Sequence, residues 1–562
     1  MKKTITLLTL TTLLSTNLLK AQDSQGGTPY SFDHYLSDNT IAAVSTPDFD
    51  YNPLIALSEI RVKQGTYELT DKLFDVSFDL NNSGTWTTLE NGDRLWKLKI
   101  TSQGAVKTGL YYQSFYLPKG AKLFVYNDDR SETAGAFTSA NNEDANVNDG
   151  IISTPQLTGE TQIVEYYEPA NVKGQGHFNI FRIAHRFKSV LSAETCQLDI
   201  NCPDGNNWQT EKHGIVRIYV VIGSLAGYCS GSLVNNTAHD CKKYILTAMH
   251  CALDETTGVE TTAYNQWIFY FEYELAGCAT GAAFSNHTKT GCSKRSGAND
   301  GGGSTGSDFL FLEMTSTTFP TGVTPYFNGW TNSNTATTGG VGIHHPEGDV
   351  KKISTYTVTP LSDTWGGTVA DTHWQILWEA GHGSTEPGSS GSPVFNNSHL
   401  IFGHLTGGGS CCVVNGCPPG SSGTGPSYPD DYGKVAYDWT SDGTTNALRL
   451  KPWLDPTSSG AVTLAGQYCT TSGIATYNND IDFNIYPNPN NGIFNLSFKL
   501  KQHSDIYLRV LNIMGEQVSD KKISNSMGGT FDIDLSAQTQ GVYFVEITAN
   551  GKTVVKKVSV IK

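Results

Sequence analysis

Apolar runs in this chain are short and often alternate with polar residues, and glycine, proline or asparagine closes most of them, so long helices have little room to form. With 58 glycines, 11% aromatic and only 16% charged residues, the pattern predicts short strands joined by turns. A length of 562 residues exceeds what one hydrophobic core supports and predicts several domains. The formal charge of −15, from 38 basic and 53 acidic residues, leaves no broad basic face to neutralise phosphates. No nucleic acid partner is expected.

Lys2 and Lys3, followed by an apolar, hydroxyl-rich stretch from Ile5 to Leu19 that ends near Ala21 and Gln22, read as an export signal over residues 1–21. The stretch is short for a membrane span and diluted with threonines, and no later segment approaches the roughly 20 apolar residues that a spanning helix needs. No membrane span is expected in the mature chain. Eleven cysteines in an exported chain predict a disulfide framework. No Cys-x-x-Cys pair is present, and neither a metal nor a cofactor is expected. An odd count leaves at least one cysteine free or paired with another chain.

Beyond the signal the chain divides into four parts. Residues 22–188 carry strand and turn signals at Arg94 to Ile100, Leu110 to Leu117 and Lys122 to Tyr126, with an Asn- and Asp-rich stretch from Ala140 to Gly150 that reads as an exposed loop. No nucleophile, base or metal cluster stands out there; a folded propeptide and an accessory β domain fit the pattern equally. Residues 189–469 hold every cysteine and every catalytic signature. Thr470 to Asp480 is small, polar and unpatterned, a linker. Residues 481–562 alternate again at Phe494 to Leu500, Ile506 to Ile513, Phe531 to Leu535, Val542 to Ile547 and Val554 to Ile561, the spacing of a small β-sandwich.

Three motifs carry chemistry. Gly388-Ser-Ser-Gly-Ser-Pro393 flanks Ser390 with glycines, as acyl transfer needs when a serine must approach a planar carbonyl and backbone N–H groups must face the developing oxyanion. Ser390 is then the nucleophile, and the N–H groups of Gly388 and Ser390 form the oxyanion hole. Tyr244 to Ala248 is an apolar strand running through Met249 to His250, whose imidazole can take and return a proton near neutrality. Ser307-Asp308-Phe309 places a carboxylate at the start of an apolar run, where it is costly unless paired; a histidine N–H would pair it. Taken singly, these are a Gly/Ser turn, a core histidine and a strand-start residue. Together, the order His250, Asp308, Ser390 belongs to the chymotrypsin arrangement.

These motifs, with Cys196-Gln-Leu-Asp-Ile-Asn-Cys202-Pro203, Cys229-Ser-Gly-Ser-Leu-Val-Asn-Asn-Thr237, Ile343-His-His-Pro346, Thr385-Glu-Pro-Gly-Ser-Ser-Gly-Ser-Pro393 and Trp453-Leu-Asp-Pro456, make residues 196–466 resemble the bacterial lysyl endopeptidases of the trypsin-like class. The resemblance implies a mainly β chain with a chymotrypsin-like double β-barrel protease domain behind a β-rich propeptide, and the same triad. It implies disulfides Cys229 with Cys251, Cys202 with Cys278, and Cys196 with Cys412 or Cys411. It also implies that Asp430 in Pro429-Asp-Asp-Tyr-Gly433 holds a lysine side chain; on its residues alone this segment is a solvated acidic turn. Glu386, close to Ser390 in the sequence, is a second candidate for the same pocket, against its reading as an exposed loop residue. Trp365 matches a tryptophan that the family stacks on a histidine, but the histidine position is Thr406. His404 lies where some Glu-specific relatives place a histidine.

Tyr486-Pro-Asn-Pro489, Asn512-Ile-Met-Gly515, Gly541-Val-Tyr-Phe544 and the closing Lys556 to Lys562 resemble the sorting domains of type IX secretion. They imply passage through the periplasm to the cell surface or beyond, with the secretion machinery as partner. The expected function is a secreted serine endopeptidase acting on protein or peptide substrates after Lys or Arg; a Glu-specific protease and a non-catalytic protease-like adhesin are the alternatives. Cleavage after Lys188 would release the propeptide.

Overall fold

The computed structural model describes residues 24–34, 41–63, 67–188, 193–254, 256–283, 287–367, 369–412, 428–469, 481–512, 517–549 and 552–562. The expected export signal and the 470–480 linker lie outside these. The chain divides into two units, residues 1–468 and 469–562.

In the first unit, residues 42–188 build two β layers around a core that includes Trp96, Leu98, Tyr112, Phe115, Tyr166 and Phe178. The expected strands are present as Arg94–Thr101, Lys107–Tyr116 and Lys122–Asn127. The Asn-rich stretch is not an open loop: it holds a 3₁₀ turn and the helix Asn142–Val147. Its polar side chains do the work of backbone partners. Asn141 accepts the Thr138 N–H at 2.8 Å, and Asn142 bonds both the N–H and the carbonyl of Leu117 at 2.9 Å.

This region is continuous with the remainder of the unit. Its strand Leu69–Asp79 pairs on one side with His177–Arg186 and on the other with Leu225–Leu233, in register Leu225 with Lys72, Ala226 with Asp71 and Gly227 with Leu69. One sheet of 12 strands therefore runs through the seam. Beneath it Arg186 Nε lies 3.3 Å from Asp71 Oδ2, both side chains shut off from solvent, and Arg186 also donates to the Tyr228 hydroxyl. An unpaired charge at this depth would be strongly destabilising.

Beyond the seam lie the two antiparallel sheets of a chymotrypsin-like double barrel. The first takes in Ile215–Ile222, Leu225–Leu233, Tyr244–Ala248, Ile268–Phe271 and Phe309–Met314; the second takes in Gly340–His344, Lys352–Tyr356, His373–Ile376, Pro393–Asn396, Leu400–Gly408 and Asp430–Lys434. Leu246, Phe309 and Phe311 from one pack with Val341, Ile343, Phe395 and Ile401 from the other. Disulfides join Cys229 to Cys251, Cys202 to Cys278 and Cys196 to Cys412. Cys241, Cys411 and Cys469 are also disulfide-bonded, Cys292 is a buried free thiol, and Cys417 lies outside the described residues.

The second unit is a five-stranded assembly. Two of the expected segments fuse into one long strand, Ile493–Leu511. Its first half pairs with Ile481–Tyr486 and its second with Gly541–Ala549, while Gln517–Asp534 runs along both halves. Phe494, Leu496, Ile506, Leu508, Val545 and Ile547 form the core.

Candidate active site

His250 and Asp308 come together because their strands do. Tyr244–Ala248 pairs antiparallel with Phe309–Met314, Ala248 opposite Phe309, so the residues flanking the two strand ends meet. His250 Nδ1 lies 2.6 Å from Asp308 Oδ2, and the His250 backbone N–H donates to Asp308 Oδ1 at 2.8 Å. Asp308 is wholly buried and adopts φ +64°, unusual for a residue with a side chain. Asp300 holds that turn: one of its carboxylate oxygens accepts the N–H groups of Gly302 and Gly303, and the other accepts the Asp308 N–H at 2.8 Å. Burial pushes the Asp300 carboxyl above its ordinary range, with Asp308 adding to the shift.

The Ser390 loop is fastened to the same place from the other barrel. Ser230 donates its N–H to the Ser390 carbonyl at 2.8 Å and its hydroxyl to the Gly388 carbonyl at 2.9 Å. Gly391, at φ +76°, presses against Thr247; a Cβ there would meet Thr247 Oγ1 at 2.1 Å, so only glycine admits the loop this close to the His250 strand. Cys251 Sγ lies 4.0 Å from both His250 Nε2 and the Ser390 carbonyl oxygen. Gly388 sits at φ +91°. Among the described residues, no acceptor takes the N–H of Gly388 or of Ser390, which leaves both donors open toward a ligand.

Asp430 is buried on the strand Asp430–Lys434, not in a solvated turn. Its Oδ2 accepts from Trp378 Nε1 at 2.6 Å, Thr385 Oγ1 at 2.7 Å and Ser410 Oγ at 2.5 Å, and its Oδ1 accepts the Ser410 N–H at 3.1 Å. Burial pushes its carboxyl above the ordinary range, while the donors from Ser410, Trp378 and Thr385 pull it back. Asp431, next along the strand, alternates to the opposite face, where burial first and then Asp363 push it to about 7.

The other expected residues are distributed less simply. Glu386 does not join Asp430; both of its carboxylate oxygens lie 3.3 Å from the Glu194 N–H, and burial pushes it to about 7. Trp365 lies 6.3 Å, centroid to centroid, from His373, whose Nε2 is 3.0 Å from Thr406 Oγ1. A histidine thus reaches Thr406 from two strands away, across Asp430–Lys434, which the local sequence does not reveal. His404 faces away from Asp430: its Nε2 is 3.0 Å from Asp438 Oδ2, with both side chains fully buried. Lys188 pairs with Glu68. Trp378, Thr385 and Ser410 carry no local signal in the sequence, since each is an ordinary residue made polar-functional only by facing Asp430.

Comparison with known proteins matches residues 77–187 to the lysyl endopeptidase N-terminal domain, 190–421 to the lysyl endopeptidase C-terminal domain, and 484–562 to the secretion system C-terminal sorting domain. A lysyl endopeptidase of Pseudomonas aeruginosa is 30% identical over an aligned stretch of 294 residues, covering 49% of this chain and 60% of that protein. Among solved structures, the protease Anisep from Arthrobacter nicotinovorans aligns over 42% of this chain and 93% of its own at 18% identity and a TM-score of 0.28. A Glu endopeptidase in complex with MPD aligns over 40% and 85% at 15% identity and a TM-score of 0.24. The sorting domain puts the chain on a type IX route to the cell surface or the extracellular space. Among the described residues, no helix is long and apolar enough to cross a membrane.

Proposed function

We propose that this chain, whose residues 77–187 and 190–421 carry both domains of the lysyl endopeptidase family, is a secreted serine endopeptidase that cleaves after lysine or arginine. The observation that carries the reading is the double hold of Asp308 on His250, beside a serine loop whose two glycine-framed N–H groups are unengaged. His250 takes the Ser390 hydroxyl proton as Ser390 attacks the scissile carbonyl. Asp308 keeps Nδ1 protonated and stabilises the imidazolium. The N–H groups of Gly388 and Ser390 receive the oxyanion. His250 then protonates the leaving amine, and water resolves the acyl-enzyme by the same steps in reverse order. Asp430 supplies the buried negative charge that a substrate ammonium or guanidinium neutralises.

Residues 1–21 act in export, 22–188 as a propeptide, 189–469 as the protease and 481–562 in recognition by the secretion machinery. Strand pairing of Leu69–Asp79 with the strand that carries Ser230 supports a blocked precursor. Glu specificity is disfavoured because His404 is engaged by Asp438 and Asp430 would repel a glutamate. The test is fluorophosphonate labelling, then digestion of a peptide library with the mature protein. Labelling at Ser390 with cuts after Lys or Arg is expected; an unlabelled Ser390 would leave the adhesin reading.

A further inference from the structure

Ser389, the residue before the proposed nucleophile, has no charge to offer an incoming terminal amine, yet its buried hydroxyl is fully engaged. Its Oγ lies 2.7 Å from His344 Nδ1 and accepts the Glu386 N–H at 3.2 Å. The opposite ring nitrogen, His344 Nε2, lies 3.0 Å from Ser354 Oγ, and Ser354 Oγ donates to the Ser384 carbonyl at 2.8 Å. Ser354 has one hydrogen and gives it to Ser384, so it accepts from His344 Nε2–H. The neutral ring then presents Nδ1 as an acceptor, and Ser389 donates to it. Burial holds the imidazole in that neutral form by pushing its pKa down to about 3.

We infer that His344 is a positioning residue for the catalytic loop: through Ser389 at one end and Ser354 and Ser384 at the other, it closes residues 384–389 into a braced ring. That ring contains the proposed Gly388 oxyanion donor and ends one residue before the Ser390 donor, and Thr385 within it donates to Asp430. The Cys196–Cys412 disulfide, whose two sulfurs lie 3.7 and 3.8 Å from Ser384 Oγ, backs the same corner. Nothing in the brace uses a chain terminus, so the loop is set without the amine-to-carboxylate pair that an acidic residue at position 389 would invite. The inference rests on the serine-endopeptidase reading.

The test is a double-mutant cycle with Ser389→Ala, His344→Gln and the two combined. It is read as kcat and KM on a lysyl peptide and as the rate of fluorophosphonate labelling of Ser390. Each single change is expected to lower kcat and labelling about 10- to 100-fold with KM nearly unchanged, below the loss from deleting an oxyanion donor outright. The double mutant should be no worse than His344→Gln, because both changes break one chain. Multiplying losses would overturn the inference. Independently of turnover, ¹⁵N NMR of the Ser390→Ala chain should show His344 as the Nε2–H tautomer; the Nδ1–H tautomer would overturn it. If His344→Gln does not fold, Ser354→Ala carries the test, with a several-fold fall in kcat expected and an unaltered kcat overturning it. Wild-type protein that never labels sinks the endopeptidase reading instead, with the tautomer still deciding on the brace.

Discussion

Asp308 holds His250 at two points, with the ring Nδ1 on one carboxylate oxygen and the backbone N–H on the other. Ring tautomer and ring position therefore depend on one side chain. Ser390→Ala and His250→Ala are expected to lower turnover about 10⁶-fold, and Asp308→Asn about 10⁴-fold through the wrong tautomer. Melting temperatures should stay near the parent value for Ser390→Ala. Near-normal peptide hydrolysis by either Ala variant would refute the assignment.

Asp430→Asn should cut kcat/KM after Lys or Arg about 10²-fold or more, the scale set by leaving one member of a buried charge pair alone at about 3 kcal/mol. Trp378, Thr385 and Ser410 can still donate to the amide oxygen, so folding should survive. Asp431→Asn points to the opposite face and should leave specificity unchanged. If only Asp431→Asn shifts the cleavage pattern, the register of this strand has been misassigned to the pocket.

Activation gives a third prediction. The Ser390→Ala precursor should remain uncut alone and be cleaved after Lys188 when active enzyme is added in trace amounts, giving Ser189 as the first residue by N-terminal sequencing. Processing of the precursor by itself would contradict self-cleavage, as would resistance to the added enzyme. Acetylation of the new α-amino group should leave activity nearly unchanged, because Ser389 is engaged by His344. A large loss would show that the amine matters.

The seam has its own pH dependence. Burial pushes the Glu347 carboxyl to about 9, with repulsion from Glu68 and Glu386 adding to it and Lys188 opposing it. An unfolded glutamate titrates near ~4.3. The folded chain therefore keeps a proton that the unfolded chain releases, so this stabilisation is complete below about pH 4.3 and drains away as pH rises toward about 9. Glu386, raised to about 7, acts in the same sense. Urea denaturation of the full Ser390→Ala chain at about pH 5 and about pH 8 should show Glu347→Gln gaining on its parent at the higher pH. An equal difference at both pH values would rule this out.

How much of the molecule is legible in its sequence depends on how local each signal is. Ser390 with its glycines, His250 at a strand end and Asp308 at a strand start each announce themselves within a few residues, and pairing of their strands does the rest. Asp430 is legible only through resemblance, since its donors come from three separate segments that meet only in the fold. His344 and His373 escape notice as functional groups for the same reason: their partners, Ser389 in the catalytic loop and Thr406 on another strand, are distant in sequence. The helix Asn142–Val147 is hidden because asparagine and aspartate favour loops unless their side chains find backbone to bond, as Asn142 does at Leu117. Alternation can reveal that a segment such as Leu69–Asp79 is a strand, but not which strand lies beside it.

That neighbour has a consequence for the life of the molecule in transit. The proposed release of residues up to 188 would strip Leu225, Ala226 and Gly227 of their ladder partners and leave an open sheet edge, the kind of surface on which stray chains template and clump. While the precursor is intact, that edge is already occupied by the chain's own strand. In the intact chain that margin is covered, and the proposed cleavage after Lys188 is the step that would bare it.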